Sequence, residues 1–237
     1  MTLKRNYSHS KLETFKNCKL KFKYKYVDNI LMPSDSSALM KGKYLHFKIE
    51  HDFKTPSLEE THSYKDERMC DAFINECNEI FNRFINTPNY KKIKKLTPIG
   101  NEVKIGLDTN FKPTHYDTAD MFHGIIDFVA INGDTVFLLD WKSGKTKKKE
   151  YYSITHQLAL YAIWAIQVFR CEKIICSYIF LENDEVVTFS YDKNNIKEVA
   201  DELKKLIIEI EQEKAFIPTK SKLCEYCEYK NICGTEM

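Results

Sequence analysis

The stretch Gly124-Ile125-Ile126-Asp127-Phe128-Val129-Ala130-Ile131-Asn132-Gly133-Asp134-Thr135-Val136-Phe137-Leu138-Leu139-Asp140-Trp141-Lys142 decides how this chain is read. Val129 and Ile131, and then Val136 to Leu139, are the β-branched, aromatic and aliphatic residues of buried strands. Asn132-Gly133 between these runs is the strongest short-range signal for a hairpin. A two-residue loop at Asn132-Gly133 sets Ile131 opposite Asp134 and Asp127 opposite Leu138. Asp140, two residues past Leu138, then shares a face with Asp127, and so does Lys142. The two aspartates become diagonal neighbours, roughly 7–8 Å apart at the backbone, near enough for their oxygens to converge on one ion. A three-residue loop would shift the pairing by one and destroy the arrangement.

Two carboxylates facing one another in a partly dry site repel, and a divalent cation is the usual remedy. Oxygen ligands select hard ions such as Mg2+ or Mn2+. Such an ion polarises a phosphoryl oxygen and acidifies water, while Lys142 is placed to hold that water or the developing negative charge. Asp-x-Lys alone also describes a charged strand end in solvent. Asp127 at the derived register is what sets this instance apart.

At 237 residues the chain suits one domain. Lys and Arg number 36 against 34 Asp and Glu, so no global field forces a nucleic-acid reading. Basic character is local: Lys145, Lys147, Lys148 and Lys149 follow the Asp-x-Lys, and they read either as a solvated loop or as a phosphate contact. Met1 to Tyr7 lacks an apolar signal core, and no stretch reaches ~18 uninterrupted apolar residues. The expectation is a cytoplasmic protein with no membrane contact and reduced thiols, in which eight cysteines call for a role other than disulfides.

Along the chain, Ser10-Lys11-Leu12-Glu13 reads as a capping box opening a helix through Leu12, Phe15 and Phe22. Ser34 to Ser37 read as a polar break. Helices are expected from Leu39 to about Phe53 and from Glu67 to Phe84, the latter with Cys70 and Cys77 as small core residues. Pro88 to Pro98 reads as a lysine-rich connector. Strands are expected at Glu102 to Leu107, Met121 to Ile131 and Val136 to Trp141. An amphipathic helix from Tyr151 to Phe169 should carry Ile154, Leu158, Tyr161 and Ala165 near one stripe. A strand pair, Ile174 to Leu181 and Val186 to Ser190, turns around Asn183-Asp184, and Cys171 and Cys176 look structural there. A helix from Ile196 to about Lys214 ends before Pro218. Helices before and after a compact set of strands define an α/β fold with a mixed sheet.

Cys224-x2-Cys227-x5-Cys233 is the second strong signal. Three thiols within ten residues suit soft metal ligation but are one short of a tetrahedral zinc site or a four-cysteine cluster. Cys18, on no plainly apolar stripe, is the candidate for the fourth. By spacing alone, zinc and an iron–sulfur cluster are equally served.

Assembled, these pieces resemble the RecB-like branch of the PD-(D/E)XK nuclease superfamily, over nearly the whole length from Tyr7-Ser8-His9-Ser10-Lys11-Leu12 to Cys233. The closest resemblance is to the iron–sulfur exonucleases associated with CRISPR adaptation and their phage relatives. The family's Gly-x-x-Asp, Asp/Glu-x-Lys and Gln-x3-Tyr correspond to Gly124 to Asp127, Asp140-Trp141-Lys142 and Gln157 to Tyr161. Its metal-binding histidine after a glycine corresponds to Gly42-Lys-Tyr-Leu-His46. Its cluster cysteines, one early and three late, correspond to Cys18 with Cys224, Cys227 and Cys233, although Lys19 stands where the family commonly has proline.

The resemblance implies a single domain over 1–237 with a restriction-endonuclease-like core. Residues 1–98 would form a mainly helical part, 99–215 the nuclease core, and 216–237 a tail packing with Cys18. It implies a Mg2+- or Mn2+-dependent DNA exonuclease acting at DNA ends or in single strands. His46, Asp127, Asp140 and the Trp141 carbonyl would hold the metal. Lys142 would position water, Gln157 and Tyr161 would border the site, and Glu102 would lie behind it. It favours a structural [4Fe–4S] cluster over zinc, and a helicase, recombinase or CRISPR integrase as partner. Tyr24, Tyr26, Tyr151 and Tyr152 are available to stack on unpaired bases or to serve as packing residues. The rival from another class is a nucleic-acid-binding or assembly module on the same fold, for which an intact Asp/Asp/Lys/Gln set is superfluous.

Overall fold

The computed structural model describes residues 6–32, 37–53, 69–144 and 146–234. Most of the polar break at Ser34 to Ser37, the start of the helix expected at Glu67, and Lys145 lie outside the described residues.

The N-terminal region opens with helix α1 (His9–Asn17), capped by Ser8 rather than by the expected Ser10. Ser8 has extended backbone and its Oγ accepts the Lys11 N–H at 3.4 Å. The continuous helix expected through Phe22 is broken at Cys18, which is extended at φ −162°, ψ 112° between α1 and α2 (Lys19–Phe22). The rings of Phe15 and Phe22 still meet edge-on at 5.2 Å, so the apolar pairing survives the break. Helix α3 spans Ser37–Phe53 and α4 spans Asp71–Phe84. Cys77 is buried in α4, but Cys70 is exposed at its N-cap and is not the core residue expected. The expected connector contains a helix, α5 (Pro88–Ile93), for which Thr87 caps Tyr90 N–H and Pro88 takes the first turn, where its missing donor costs nothing.

Among the described residues six strands follow: β1 (Thr97–Leu107), β2 (Pro113–Thr114), β3 (Phe122–Asn132), β4 (Thr135–Lys142), β5 (Lys173–Phe180) and β6 (Glu185–Asp192). They form one sheet in the order β2-β1-β3-β4-β5-β6, in which only β4 and β5 are parallel. Parallel neighbours require a crossover, supplied by α6 (Gln157–Val168). A last helix, α7 (Asn195–Gln212), ends six residues before Pro218, so proline does not terminate it.

The hairpin loop is Gly133-Asp134, not Asn132-Gly133. Asn132 pairs with Thr135, and Gly133 takes φ 57° as the first loop residue, the place that a II′ turn reserves for glycine. The register therefore moves by one residue on each strand. Side-chain parity is unchanged; the pairing ends at Phe128–Leu139, and beyond it Asp127 reaches β4 through its side chain, Oδ2 accepting the Trp141 N–H at 2.8 Å.

Apolar side chains cover both faces of the sheet. On one face α1, α2, α6 and α7 pack around Leu12, Phe15, Val129, Leu138, Leu158 and Leu203. On the other, α3, α4 and α5 enclose Phe84, Phe128, Leu139 and Trp141. Helix α6 lies between the sheet and α7 and is buried nearly all round, from Leu158 to Ile166, rather than amphipathic as expected. It is also shorter than expected. Lys16 Nζ donates to Ser153 Oγ at 3.0 Å and Thr155 Oγ1 at 2.6 Å, and these long-range bonds hold the preceding segment outside the helix. No helix among the described residues is long and apolar enough to cross a membrane.

Candidate active site

Asp127 and Asp140 enter one cleft of about 620 Å³ from adjacent strands, 9 % and 1 % exposed. Asp127 Oδ2 accepts the Trp141 N–H at 2.8 Å, which binds β3 to β4 at their open end and aims the carboxylate. His46, on α3, comes over the same spot. Its Nε2 lies 2.9 Å from the Trp141 carbonyl oxygen, and a carbonyl can only accept, so Nε2 carries the proton. Nδ1 is then a bare lone pair 3.6 Å from Asp127 Oδ2. The Trp141 carbonyl, expected as a ligand, accepts the imidazole N–H with one of its two lone pairs.

Glu102 is nearer than the sequence placed it. Donor atoms of His46, Glu102 and Asp127 all lie within 4.8 Å of one another. A backbone irregularity accounts for this: Glu102 has φ 50° in the middle of β1, between the Asn101–Phe128 and Val103–Ile126 pairs. The left-handed region is costly for a side chain with a Cβ, and such strain gathers at functional sites. Asp140 sits beside this group rather than within it, with Oδ2 2.7 Å from Lys142 Nζ.

The electrostatics are those of a site with excess negative charge. Burial first, and then the Asp140 charge, hold the Asp127 carboxyl well above its ordinary range. Burial, with Glu50 and Asp140 behind it, raises Glu102. Burial lowers His46 despite the opposing pull of Asp140, which favours the neutral imidazole that can ligate. One imidazole nitrogen and two carboxylates at this separation, with the buried Asp140 carboxylate alongside, are a donor set that fits a hard divalent cation.

On the other side of Lys142, Gln157 begins α6. Its Oε1 accepts from Lys142 Nζ at 3.0 Å, and its Nε2 donates to Tyr161 Oη at 3.0 Å. Tyr161 in turn lies flat on the backbone of Gly124, where a Cβ would collide with the ring, at 3.1 Å from Cζ. Glycine stands at position 124 because only it lets the tyrosine close. The sequence motifs on β3, β4 and α6 thus form one bonded chain, from Gly124 through Tyr161, Gln157 and Lys142 to Asp140.

The four cysteines singled out by spacing, Cys18, Cys224, Cys227 and Cys233, all line a second cavity, of about 380 Å³. The break at Cys18 places that residue at its wall. Among the described residues no three thiols approach within 4.8 Å of one another, so they do not form a closed cage for a single ion. Tyr24 packs on Tyr229 at 5.5 Å and Tyr26 on Phe22 at 5.2 Å, as packing residues do. Tyr151 is 73 % exposed and, with Tyr152 and Lys147, borders a third cavity beside Lys142. Tyr178 and His156, which back that cavity, carry no sequence signal; Tyr178 arrives on β5 and His156 at the N-cap of α6, which packs on that strand.

A sheet with one crossover helix, carrying Gly-x-x-Asp, Asp-x-Lys and Gln-x3-Tyr at one open end, defines a class of nucleic-acid hydrolase. The family model of the PD-(D/E)XK nuclease superfamily matches residues 6–234, and the chain belongs to that superfamily. Its members use divalent metals for hydrolysis of nucleic acid. A crystal structure of a protein from Eubacterium rectale described as "Putative exonuclease" is similar at a TM-score of 0.60 and 13 % identity, over 99 % of this chain and 91 % of that one. The crystal structure of SSO0001 aligns at a TM-score of 0.39 and 15 % identity, over 99 % and 88 %. No curated protein sequence matches the chain at a significant level.

Proposed function

We propose that this protein is a metal-dependent deoxyribonuclease, working as an exonuclease on DNA ends or single strands. The observation that carries the reading is the convergence of His46 Nδ1, Glu102 and Asp127 beside a lysine held by both Asp140 and Gln157. His46, Glu102 and Asp127, with Asp140 alongside, would hold Mg2+ or Mn2+, which when bound supplies the positive charge that polarises a phosphoryl oxygen. Lys142 Nζ, fixed from two sides, is aimed at the position where attacking water and the incipient charge at phosphorus must lie. Asp127, through the Trp141 N–H, keeps the strand ends in register. Lys142 Nζ can only donate, so it turns the Gln157 amide oxygen toward itself and leaves the amide nitrogen to donate to Tyr161 Oη.

The test uses end-labelled oligonucleotides and circular single strands with Mn2+. Shortening from one end with circles left intact is the expected result, whereas cutting of circles would replace the exonuclease reading with an endonuclease.

Cys18, Cys224, Cys227 and Cys233 are proposed to hold a structural [4Fe–4S] cluster. What supports a shared group is that all four cysteines line one cavity. The tail is already tied to the N-terminal region by Lys21–Glu228 at 2.7 Å and by Tyr229 Oη on the Ile30 carbonyl at 2.8 Å. Protein purified without oxygen should be brown, absorbing near ~400 nm, and Cys224→Ser should bleach it. Colourless protein with one equivalent of zinc would contradict the cluster.

A further inference from the structure

We propose that the cavity bordered by Tyr151 and Tyr152 is a nucleobase site, receiving the unpaired base next to the phosphate being cut. The proposal rests on the nuclease reading and adds to it a specific subsite.

Position is the first argument. This cavity, about 320 Å³, and the acidic cleft share Lys142 and Gln157 in their walls. A strand with a phosphate at Lys142 therefore has an adjoining nucleotide at the mouth of the cavity. The volume lies at the small end of ligand pockets and is large enough to admit a nucleobase.

The second argument is a rigid aromatic wall. Tyr152 stacks on Tyr178 with centroids 4.8 Å apart and planes at 17°. Tyr178 Oη lies 3.2 Å from His156 Nδ1, and His156 Nε2 lies 2.7 Å from Tyr191 Oη. Phe189 closes the edge of Tyr152 at 5.4 Å. A wall fixed in this way loses little freedom when a base stacks on it, and base–aromatic stacking is indifferent to sequence. Tyr151, 73 % exposed, stands at the rim with nothing in the core to justify its ring.

His9 supplies a polar group beside the aromatic wall. His9 lies between this cavity and the cysteine-lined one and belongs to the walls of both. Burial, then Lys142 and Lys16, push its imidazole down to about 3. The neutral ring, with Nε2 3.8 Å from Glu13 Oε1, adds a hydrogen-bonding group that the edge of a base can use, in the same wall as Lys142 and Lys147.

The experiment takes the full chain, Mn2+ and a set of linear single-stranded oligonucleotides, each with one abasic residue moved stepwise from the end that is cut. In the wild type, loss of the base at one position, or at two adjoining ones, should lower kcat/KM for the neighbouring bond roughly tenfold or more, as the loss of one stacked base implies. Tyr151→Ala, at an exposed position, should cut the intact oligonucleotide more slowly and no longer distinguish the abasic one. Tyr152→Leu should do the same if circular dichroism shows it folded, and the wild-type scan decides without it. A flat scan with active enzyme would overturn the base site and leave the nuclease standing. No cleavage of any oligonucleotide would overturn the nuclease reading itself, and the base site with it.

Discussion

Replacing Asp127 by Asn is expected to make the metal-free protein more stable and the enzyme inactive. Asp127 is buried, and its carboxyl is held well above the ordinary 3.8 by burial and by Asp140. The folded state therefore binds a proton that the unfolded chain releases, so this group's contribution to stability declines as pH rises above 3.8. An amide carries no charge to bury and can still accept the Trp141 N–H. The gain should be seen as a melting temperature about 2–4 °C higher, the equivalent of about 1 kcal/mol in a chain of this size. Mn2+ should raise the melting temperature of the wild type, and more at pH 8 than at pH 5, because ligation requires the ionised carboxylate. The amide oxygen of the Asp127→Asn variant is a poorer ligand, and its Mn2+ shift should all but vanish. Loss of several kcal/mol of transition-state stabilisation corresponds to a rate lower by roughly 10³-fold. A metal-free variant less stable than the wild type at pH 8, or an unchanged Mn2+ shift, would show that the acidic cluster is not the metal site.

Gly124→Ala is expected to have the second largest effect. The new Cβ collides with Tyr161 Cε1 and lies 3.1 Å from Cζ, and the ring, 4 % exposed, has little room to retreat. Overpacking of this kind costs about 1–3 kcal/mol, read as a lower midpoint in urea. Movement of Tyr161 releases the Gln157 amide, and with it one of the two contacts that hold Lys142, so activity should fall further than stability does. In the Tyr161→Leu background the same Gly124→Ala change should cost almost nothing in stability, a coupling that a double-mutant cycle measures directly. Additive effects would disprove the steric account.

Some of these features are legible in the sequence and others are not, for physical reasons. The Asp127, Asp140 and Lys142 face was legible because strand alternation has a period of two. An error of one residue on both strands, from choosing Asn132-Gly133 over Gly133-Asp134 as the loop, leaves that parity intact. Gly124, Gln157 and Tyr161 were legible only as a family pattern; the physical reason for the glycine is the tyrosine ring pressed on it. Glu102 was misjudged because no local signal marks a glutamate for the left-handed region in mid-strand. The break at Cys18 was missed because Leu12, Phe15 and Phe22 keep helical spacing through it. The shortened α6 follows from long-range bonds of Lys16 to Ser153 and Thr155, which no window of sequence contains. His156, at the N-cap of α6, meets Tyr178 of β5 and Tyr191 of β6 only through tertiary packing, so the aromatic wall was equally invisible.

The most direct test of the metal-dependent cleavage centre is degradation of linear DNA in Mn2+ by the wild type, Asp140→Ala and Lys142→Ala, run side by side and repeated with chelator. The wild type should degrade DNA only without chelator, and both variants should be slower by roughly 10²-fold or more while binding DNA and remaining folded. Equal degradation by all three proteins would contradict the assignment of Asp140 and Lys142.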